Sequence, residues 1–210
     1  KLIVEGEYHF KNRSFITSFF GKKIIKIAPD YDFIDSTIDY NFIPKKNAIF
    51  TTRSNRNLNF LIECWKSINL ELTNAKLKIN PPFKLTKKHM KIGIKLRNKS
   101  NKKNLINDLL NSKVMLNPGH KSEVFCLSAD EARELCVPIV TMGYGCLFER
   151  VKHGITGFIA KNKSEFIDYS LQILKDDSIF KELRKNLLYL KGRRSYKNVA
   201  KDLLSYLKSY

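Results

Sequence analysis

Between residues 48 and 160, short apolar runs rich in β-branched side chains alternate with stretches of helical period, and few architectures accept that alternation. Residues 48–52 (AIFTT), 75–79 (AKLKI), 114–116, 137–141 and 157–160 read as strands, with a further strand across 90–96. Between them, Leu58, Leu61, Ile62, Trp65 and Ile68 share one helical face. Residues 105–110 and 128–136 predict two more helices, and 147–151 a single helical turn. Strands separated by helices return through crossovers, so they pair in parallel with both faces covered. The predicted fold class is therefore α/β: a Rossmann-like parallel sheet flanked by helices.

On the N-terminal side, 24–28 reads as a short strand stopped by Pro29, and 30–46 as a linker. From Lys163 onward the pattern is helical, with stripes at Phe166/Tyr169/Ile173/Leu174, Ile179/Leu183/Leu187 and Val199/Leu203/Leu207. Trp65 and its neighbours on the 58–68 face are core positions. The chain opens at Lys1 without the charged-then-apolar pattern of a leader, so it is expected to begin inside a longer or processed protein. No apolar run reaches the roughly 18 residues a spanning helix requires.

The formal charge of +19 suggests an anionic partner, but its location argues otherwise. Residues 76–113 hold +11 of it, whereas 114–170, the richest in motifs, sum to −1. Lys, Asn and Ile, whose codons are A/T-rich, number 30, 18 and 21, so codon bias is a competing cause of the excess. There is neither zinc-finger spacing nor an aromatic RNA-binding signature, and no nucleic-acid partner is expected. The lysines of 76–113 read as solvated surface and leave open a peripheral contact with anionic lipid. Cys64, Cys126, Cys136 and Cys146 contain no CxxC pair and read as reduced core residues, with no metal site.

Chemistry concentrates in 114–158. A strand ends at Pro118, a loop carries Gly119, His120, Lys121 and Glu123, and a helix beginning near Ser128 holds Glu131 in its first turn. In a doubly wound sheet, ligands sit beyond the carboxyl ends of the strands, where helix N-termini offer free N–H groups to anions. A carboxylate placed there can accept hydrogen bonds from two adjacent sugar hydroxyls. Such a unit suits a nucleotide sugar. Glu123 and Glu131, with seven residues between them, are a weak signal alone in a chain of ten glutamates. The ordered run around them is specific: E-x-F, A-x-E-A, V-P-I-V at 137–140, a turn with Gly143 and Gly145, then Glu149 in E-R-V and H-G-I-T-G-F at 153–158.

This run resembles the C-terminal, donor-binding domain of retaining glycosyltransferases with two facing Rossmann-like domains (the GT-B architecture, group 1 or family 4). The resemblance also takes in 51–65, similar to the first strand, basic loop and first helix of that domain, and the closing RRSYKNVAKDLLSYL. It implies a remnant of the N-terminal domain plus linker at 1–44, the nucleotide-sugar-binding domain at 45–190, and a C-terminal helix at 191–210 packing back toward the N-terminal domain. It further implies that Glu131 binds the ribose hydroxyls and that Glu123 lies near the donor sugar and its phosphates. Phe125, Cys126 and Leu127 would turn backbone N–H groups toward the sugar and diphosphate. Arg53 and Arg56 would meet the diphosphate, Arg56 standing where the family usually has Lys, in a loop shorter than in most relatives. Gly143 and Gly145 are turn residues with a donor contact as the alternative. His120 either lines the donor pocket or is solvated, and Glu149 either positions the donor loop or makes a structural salt bridge.

By the same resemblance the reaction moves a sugar from a nucleotide-diphosphate donor to a glycan, lipid-linked or protein acceptor. It would do so with retention, without a metal or other cofactor, in polysaccharide biosynthesis in the cytoplasm or at the inner face of the membrane. Cys136 departs from the family by standing at a Gly position. With most of the acceptor domain missing, turnover by this chain alone is not expected. The alternative reading is a non-catalytic Rossmann-like module that binds a nucleotide or a partner.

Overall fold

The computed structural model describes residues 2–19, 22–25, 39–98, 101–190 and 196–208. In chain order the elements are β1 (Leu2–Val4), α1 (Glu7–Lys11), α2 (Phe15–Ser18), β2 (Lys22–Ile24), β3 (Asn47–Phe50), α3 (Leu58–Glu71), β4 (Lys76–Ile79), α4 (Lys87–Lys91), β5 (Ile94–Leu96), α5 (Lys102–Leu110), β6 (Val114–Leu116), α6 (Leu127–Glu134), β7 (Ile139–Thr141), α7 (Leu147–Arg150), β8 (Gly157–Ile159), α8 (Lys163–Lys175), α9 (Asp177–Tyr189) and α10 (Tyr196–Lys208). Six strands make one sheet in the order β5-β4-β3-β6-β7-β8, every neighbouring pair parallel. β1 and β2 pair in parallel as a separate two-stranded sheet. The chain is thus an α/β, Rossmann-like protein.

Side chains alternate across the six-stranded sheet with the strand period of two. Ala48, Phe50, Val114, Leu116 and Val140 face a core shared with α3, α8 and α9. Ile49, Met115 and Ile139 face the opposite core, built with α5, α6 and α7. The helical face read at 58–68 is buried against the first core, and Trp65 is fully enclosed with its Nε1–H donating to the Ile92 carbonyl at 2.7 Å. Burying one such large side chain is worth about 1.5–3 kcal/mol.

Several expectations need correction. The strand expected across 90–96 is only Ile94–Leu96, preceded by α4. Thr86 Oγ1 accepts the His89 N–H and His89 Nδ1 accepts the Thr86 N–H, both at 3.3 Å, so a reciprocal cap starts a helix among the lysines. Gly93 then turns the chain at φ +75°, where a Cβ would lie 2.5 Å from the Ala75 carbonyl. The lysines of 76–113 are not all solvated: Lys113 is 2% exposed and pairs with Asp177, and Lys78 Nζ lies 2.7 Å from Asp108. Leu207 does not complete a buried stripe on α10; it is exposed, while Val199 packs against Ile25 beside β2. The strand read at 24–28 begins earlier, at Lys22, and its residues 26–28 lie outside the described residues, as do 30–38 of the linker. Among the described residues no helix is long and apolar enough to cross a membrane.

Candidate functional site

From β3 the chain goes to β4 on one side of the sheet, and later to β6 on the other, so the carboxyl ends of β3 and β6 form the topological switch point. The loops leaving these two strands meet there. Asn57, at φ +59°, donates from Nδ2 to the Gly119 carbonyl at 2.5 Å. Left-handed backbone is tolerable for Asn, whose short amide finds local partners. Buried Asn117 holds the second loop from within, its Oδ1 accepting the Gly119 N–H at 3.1 Å.

Between the loops lies a cavity of about 290 Å³ lined by Thr51, Thr52, Arg53, Arg56, Glu123, Phe125 and Leu127, among others. Five residues named from the sequence are brought together here: Arg53, Arg56, Glu123, Phe125 and Leu127. Arg56 donates from Nη1 to Ser122 Oγ and lies 3.2 Å from His120 Nδ1, so His120 sits at the rim rather than in the wall. The Ser122 N–H also points at His120 Nδ1, at 3.2 Å. With Nδ1 accepting, a neutral His120 carries its proton on Nε2. Arg53 is exposed at the mouth.

Glu123 is 8% exposed and its Oε2 has no hydrogen-bond partner; the hydroxyls of Thr51 and Thr52 are likewise buried and unpartnered. Buried polar atoms are nearly always paired, so three orphans around one cavity mark a place prepared for a polar occupant. Burial pushes the Glu123 carboxyl above its ordinary range, and the Cys126 thiol and then the nearby Arg56 guanidinium oppose the rise. α6 begins at the same wall with Leu127 and Ser128, and its N-cap, Cys126, makes no side-chain cap bond. The Ala129 N–H donates to the Cys126 carbonyl at 3.1 Å, which leaves the N–H groups of Leu127 and Ser128 to meet an anion.

Cys126, Gly143, Gly145, Glu131 and Glu149, also named from the sequence, do not line this cavity. Cys126 turns its sulfur inward, 3.5 Å from Asn117 Nδ2 and 3.3 Å from Ser128 Oγ, so its surroundings are more polar than its sequence neighbours suggest. Gly143 and Gly145 shape the neighbouring turn at φ +71° and +66°. A Cβ on Gly145 would lie 2.4 Å from the His120 carbonyl and 2.7 Å from that of Glu123, so this glycine lets the turn press against the loop. Glu131 is half-buried on α6 and outside the cavity wall. Its carboxyl is raised by burial, opposed by Lys102 and then Arg97, with Asp130 adding to the rise. Arg97 also lines a second cavity, of about 370 Å³, with Asn98, Asn104 and Asp108. The Glu149 carboxylate accepts the backbone N–H groups of Glu7 and Tyr8.

Sequence reasoning missed Thr51 and Thr52, two hydroxyl residues directly after an apolar strand, which is the available signal. It also missed Arg150, 8% exposed, whose guanidinium lies 4.4 Å from the centre of the Phe125 ring and stiffens that cavity wall. Among the described residues no three His, Cys, Asp or Glu side chains are grouped so as to hold a metal ion.

A family model for glycosyl transferases group 1 matches residues 52–189. The chain belongs to this family. No curated protein matches it by sequence. Solved structures share its fold. Anabaena Alr3699/HepE in complex with UDP aligns with TM-score 0.77 and 15% identity over 99% of this chain and 63% of that one. A mutant of S. aureus TarM in complex with Fondaparinux, alpha-GlcNAc-glycerol and UDP gives 0.73 and 17% over 97% of this chain and 43% of that one. The pneumococcal O-GlcNAc transferase GtfA in complex with UDP and GlcNAc gives 0.71 and 14%, over 99% and 44%. The chain therefore spans less than two thirds of these proteins' length. The matched region takes in the cavity from Thr52 onward, both glutamates and the glycine turn, and leaves β1 through β3 outside.

Proposed function

We propose that the chain is the donor-binding part of a glycosyltransferase and that it takes a nucleoside diphosphate sugar, with UDP the first nucleotide to try because similar structures were solved with it. The diphosphate lies in the cavity between the β3 and β6 loops, against Arg53, Arg56 and the amino end of α6. Glu131 accepts the ribose hydroxyls, and the base extends toward the cavity beside Arg97. Glu123 and the threonine hydroxyls face the sugar. In the reaction, the bond from the sugar's anomeric carbon to the β-phosphate oxygen breaks as an acceptor hydroxyl oxygen bonds to that carbon, and the hydroxyl proton passes to the departing diphosphate. Negative charge grows on the diphosphate as it leaves, and the two arginines stabilise it where it develops. Because they supply that charge, the reaction is proposed to need no metal. Retention of configuration is carried over from the family resemblance. The acceptor is a glycan or lipid-linked hydroxyl, and catalysis needs an acceptor domain beside this chain.

The observation that carries this reading is the set of orphaned polar atoms around a cavity that is also walled by two arginines and a helix amino end. Calorimetric titration with UDP tests it. Binding is expected, weakened at least tenfold in Glu131→Ala, since charged hydrogen bonds contribute about 1.5–3 kcal/mol each. Failure to bind UDP, GDP or any other nucleoside diphosphate would reject the reading.

A further inference from the structure

The N-terminal segment reaches the donor loop through the Tyr8 side chain. Tyr8, on α1, donates its hydroxyl to the Lys121 carbonyl at 2.5 Å, two residues before Glu123. Three other contacts hold Tyr8 in that position. Its ring meets Phe148 edge-on with centroids 6.0 Å apart. Its backbone N–H and that of Glu7 both donate to the Glu149 carboxylate, the second at 3.2 Å. Gly6 leaves room for this grip, because a Cβ there would lie 2.6 Å from Glu149 Oε2 and push the carboxylate off its donors.

The loop is held from its other side as well. The Cys146 N–H donates to the Glu123 carbonyl at 2.9 Å, and Gly145 allows the turn to approach the His120 carbonyl. Residues 120–123 are thus clamped between the glycine turn and Tyr8. β1 and β2, which flank α1 in the chain, form a sheet of their own outside the six-stranded one. Phe148 and Glu149 both lie on α7, directly after the glycine turn, so the clamp and the tether share one short element.

We infer that Tyr8 is a positioning residue for donor binding: its hydroxyl fixes the loop that carries Glu123 and so couples the placement of the N-terminal segment to the grip on the diphosphate. This rests on the reading of the cavity as a nucleotide-sugar site. The hydroxyl acts on the loop that meets the β-phosphate and sugar. It does not act on Glu131, which belongs to α6 and faces Lys102 and Arg97. Movement of the β1–β2 unit would therefore alter the phosphate end of the site before the nucleoside end.

Tyr8→Phe in the full chain is the test, because it keeps the ring against Phe148 and the backbone bonds to Glu149 and removes only the hydroxyl. UDP and UMP affinities are measured by calorimetry, with hydrogen exchange followed across residues 119–123. Tyr8→Phe is expected to bind UDP about three- to tenfold more weakly, the range for one lost hydrogen bond, and UMP unchanged. Exchange should speed up in 119–123 and stay as it was in β6. Equal UDP affinity, or an equal loss for UDP and UMP, overturns the inference while the donor reading stands. A parent chain that binds neither nucleotide overturns both.

Discussion

On the proposed reading, Glu131 serves a ligand at the expense of the fold. Ribose hydroxyls donate to a carboxylate, so the proposed contact needs Glu131 ionised. Burial raises its carboxyl above the ordinary 4.5, and Lys102 and Arg97 only partly offset this. A proton therefore competes with nucleotide at higher pH than for a solvated glutamate. UDP affinity, measured at constant ionic strength, is expected to fall as pH drops through that raised range. Glu131→Gln should bind weakly with no such fall beyond that of the phosphate's own titration. The stability effect runs the other way. A carboxyl with a raised native pKa binds its proton more tightly folded than unfolded, so its contribution is present at low pH and lost as pH rises through the native value. At neutral pH the unliganded Glu131→Gln protein should melt higher than the parent, by about 2–4 °C for each kcal/mol of relieved desolvation. A lower melting temperature would show that the cations more than compensate the burial. Cys136 is the converse case, where the sequence showed a departure and the backbone explains it. It sits at φ +54° just past α6, with the Val137 N–H bonded to the Ala132 carbonyl at 2.8 Å and its own N–H to the Arg133 carbonyl at 3.0 Å. That bond pair is the Schellman ending of a helix, which ordinarily calls for glycine.

Helices and strands with long apolar periods were legible, because each buries its stripe in a core that the pattern already implies. α3, β3, β4, β6 and the 157–160 strand fall where their residues placed them. α4 was not legible, since a five-residue helix of KKHMK has no apolar face and exists through the Thr86–His89 cap. The candidate site divides in the same way. The motif located the loop and α6, but whether Glu123 and Glu131 share a cavity depends on how α6 is set against α7, α9 and β7, a tertiary matter that spacing does not encode. The glycine turn offers a direct test of loop shape against backbone strain. Gly145 and Gly154 both have positive φ, so a Cβ at either costs about 1 kcal/mol in conformation alone. At Gly154 nothing lies within 4 Å, whereas at Gly145 the Cβ would overlap two backbone carbonyls of the donor loop. Gly154→Ala is expected to cost about that 1 kcal/mol and to keep UDP affinity. Gly145→Ala should cost about 2–4 kcal/mol and lose most UDP binding, because only main-chain movement at residues 120–123 relieves the overlap. Matching behaviour of the two variants in melting and titration would mean that the turn does not set the loop.

Across the molecule, polar side chains tie parts outside the six-stranded sheet to it, beside the apolar contacts of Tyr8 and Ile43. Glu149 holds the β1–β2 unit through backbone N–H groups, and Arg184 does the same for the segment entering β3 through backbone carbonyls. Arg184, on α9, is 4% exposed and donates to the carbonyls of Phe42 at 2.6 Å, Tyr40 at 3.3 Å and Cys136 at 3.3 Å, with its guanidinium stacked on Phe180. It therefore joins the chain ahead of the sheet, the end of α6 and the C-terminal helices. Burial lowers its pKa below the usual guanidinium range, but a guanidinium remains charged at any accessible pH, so the tie persists through ordinary titrations. Arg184→Met keeps the stacking volume and removes all three donors. Bonds from charged donors are worth about 1.5–3 kcal/mol each, and the relieved desolvation of the guanidinium returns part of that sum, leaving an expected loss of about 2 kcal/mol. In a chain of this size that corresponds to a melting midpoint lower by about 4–8 °C. The freed segment should also be cut faster by chymotrypsin at Tyr40 and Phe42. UDP affinity should not change, because Arg184 touches neither cavity near the switch point. If digestion and melting both match the parent, the three carbonyls find water as readily as Arg184, and the segment is held instead by Ile43, which packs against the larger core.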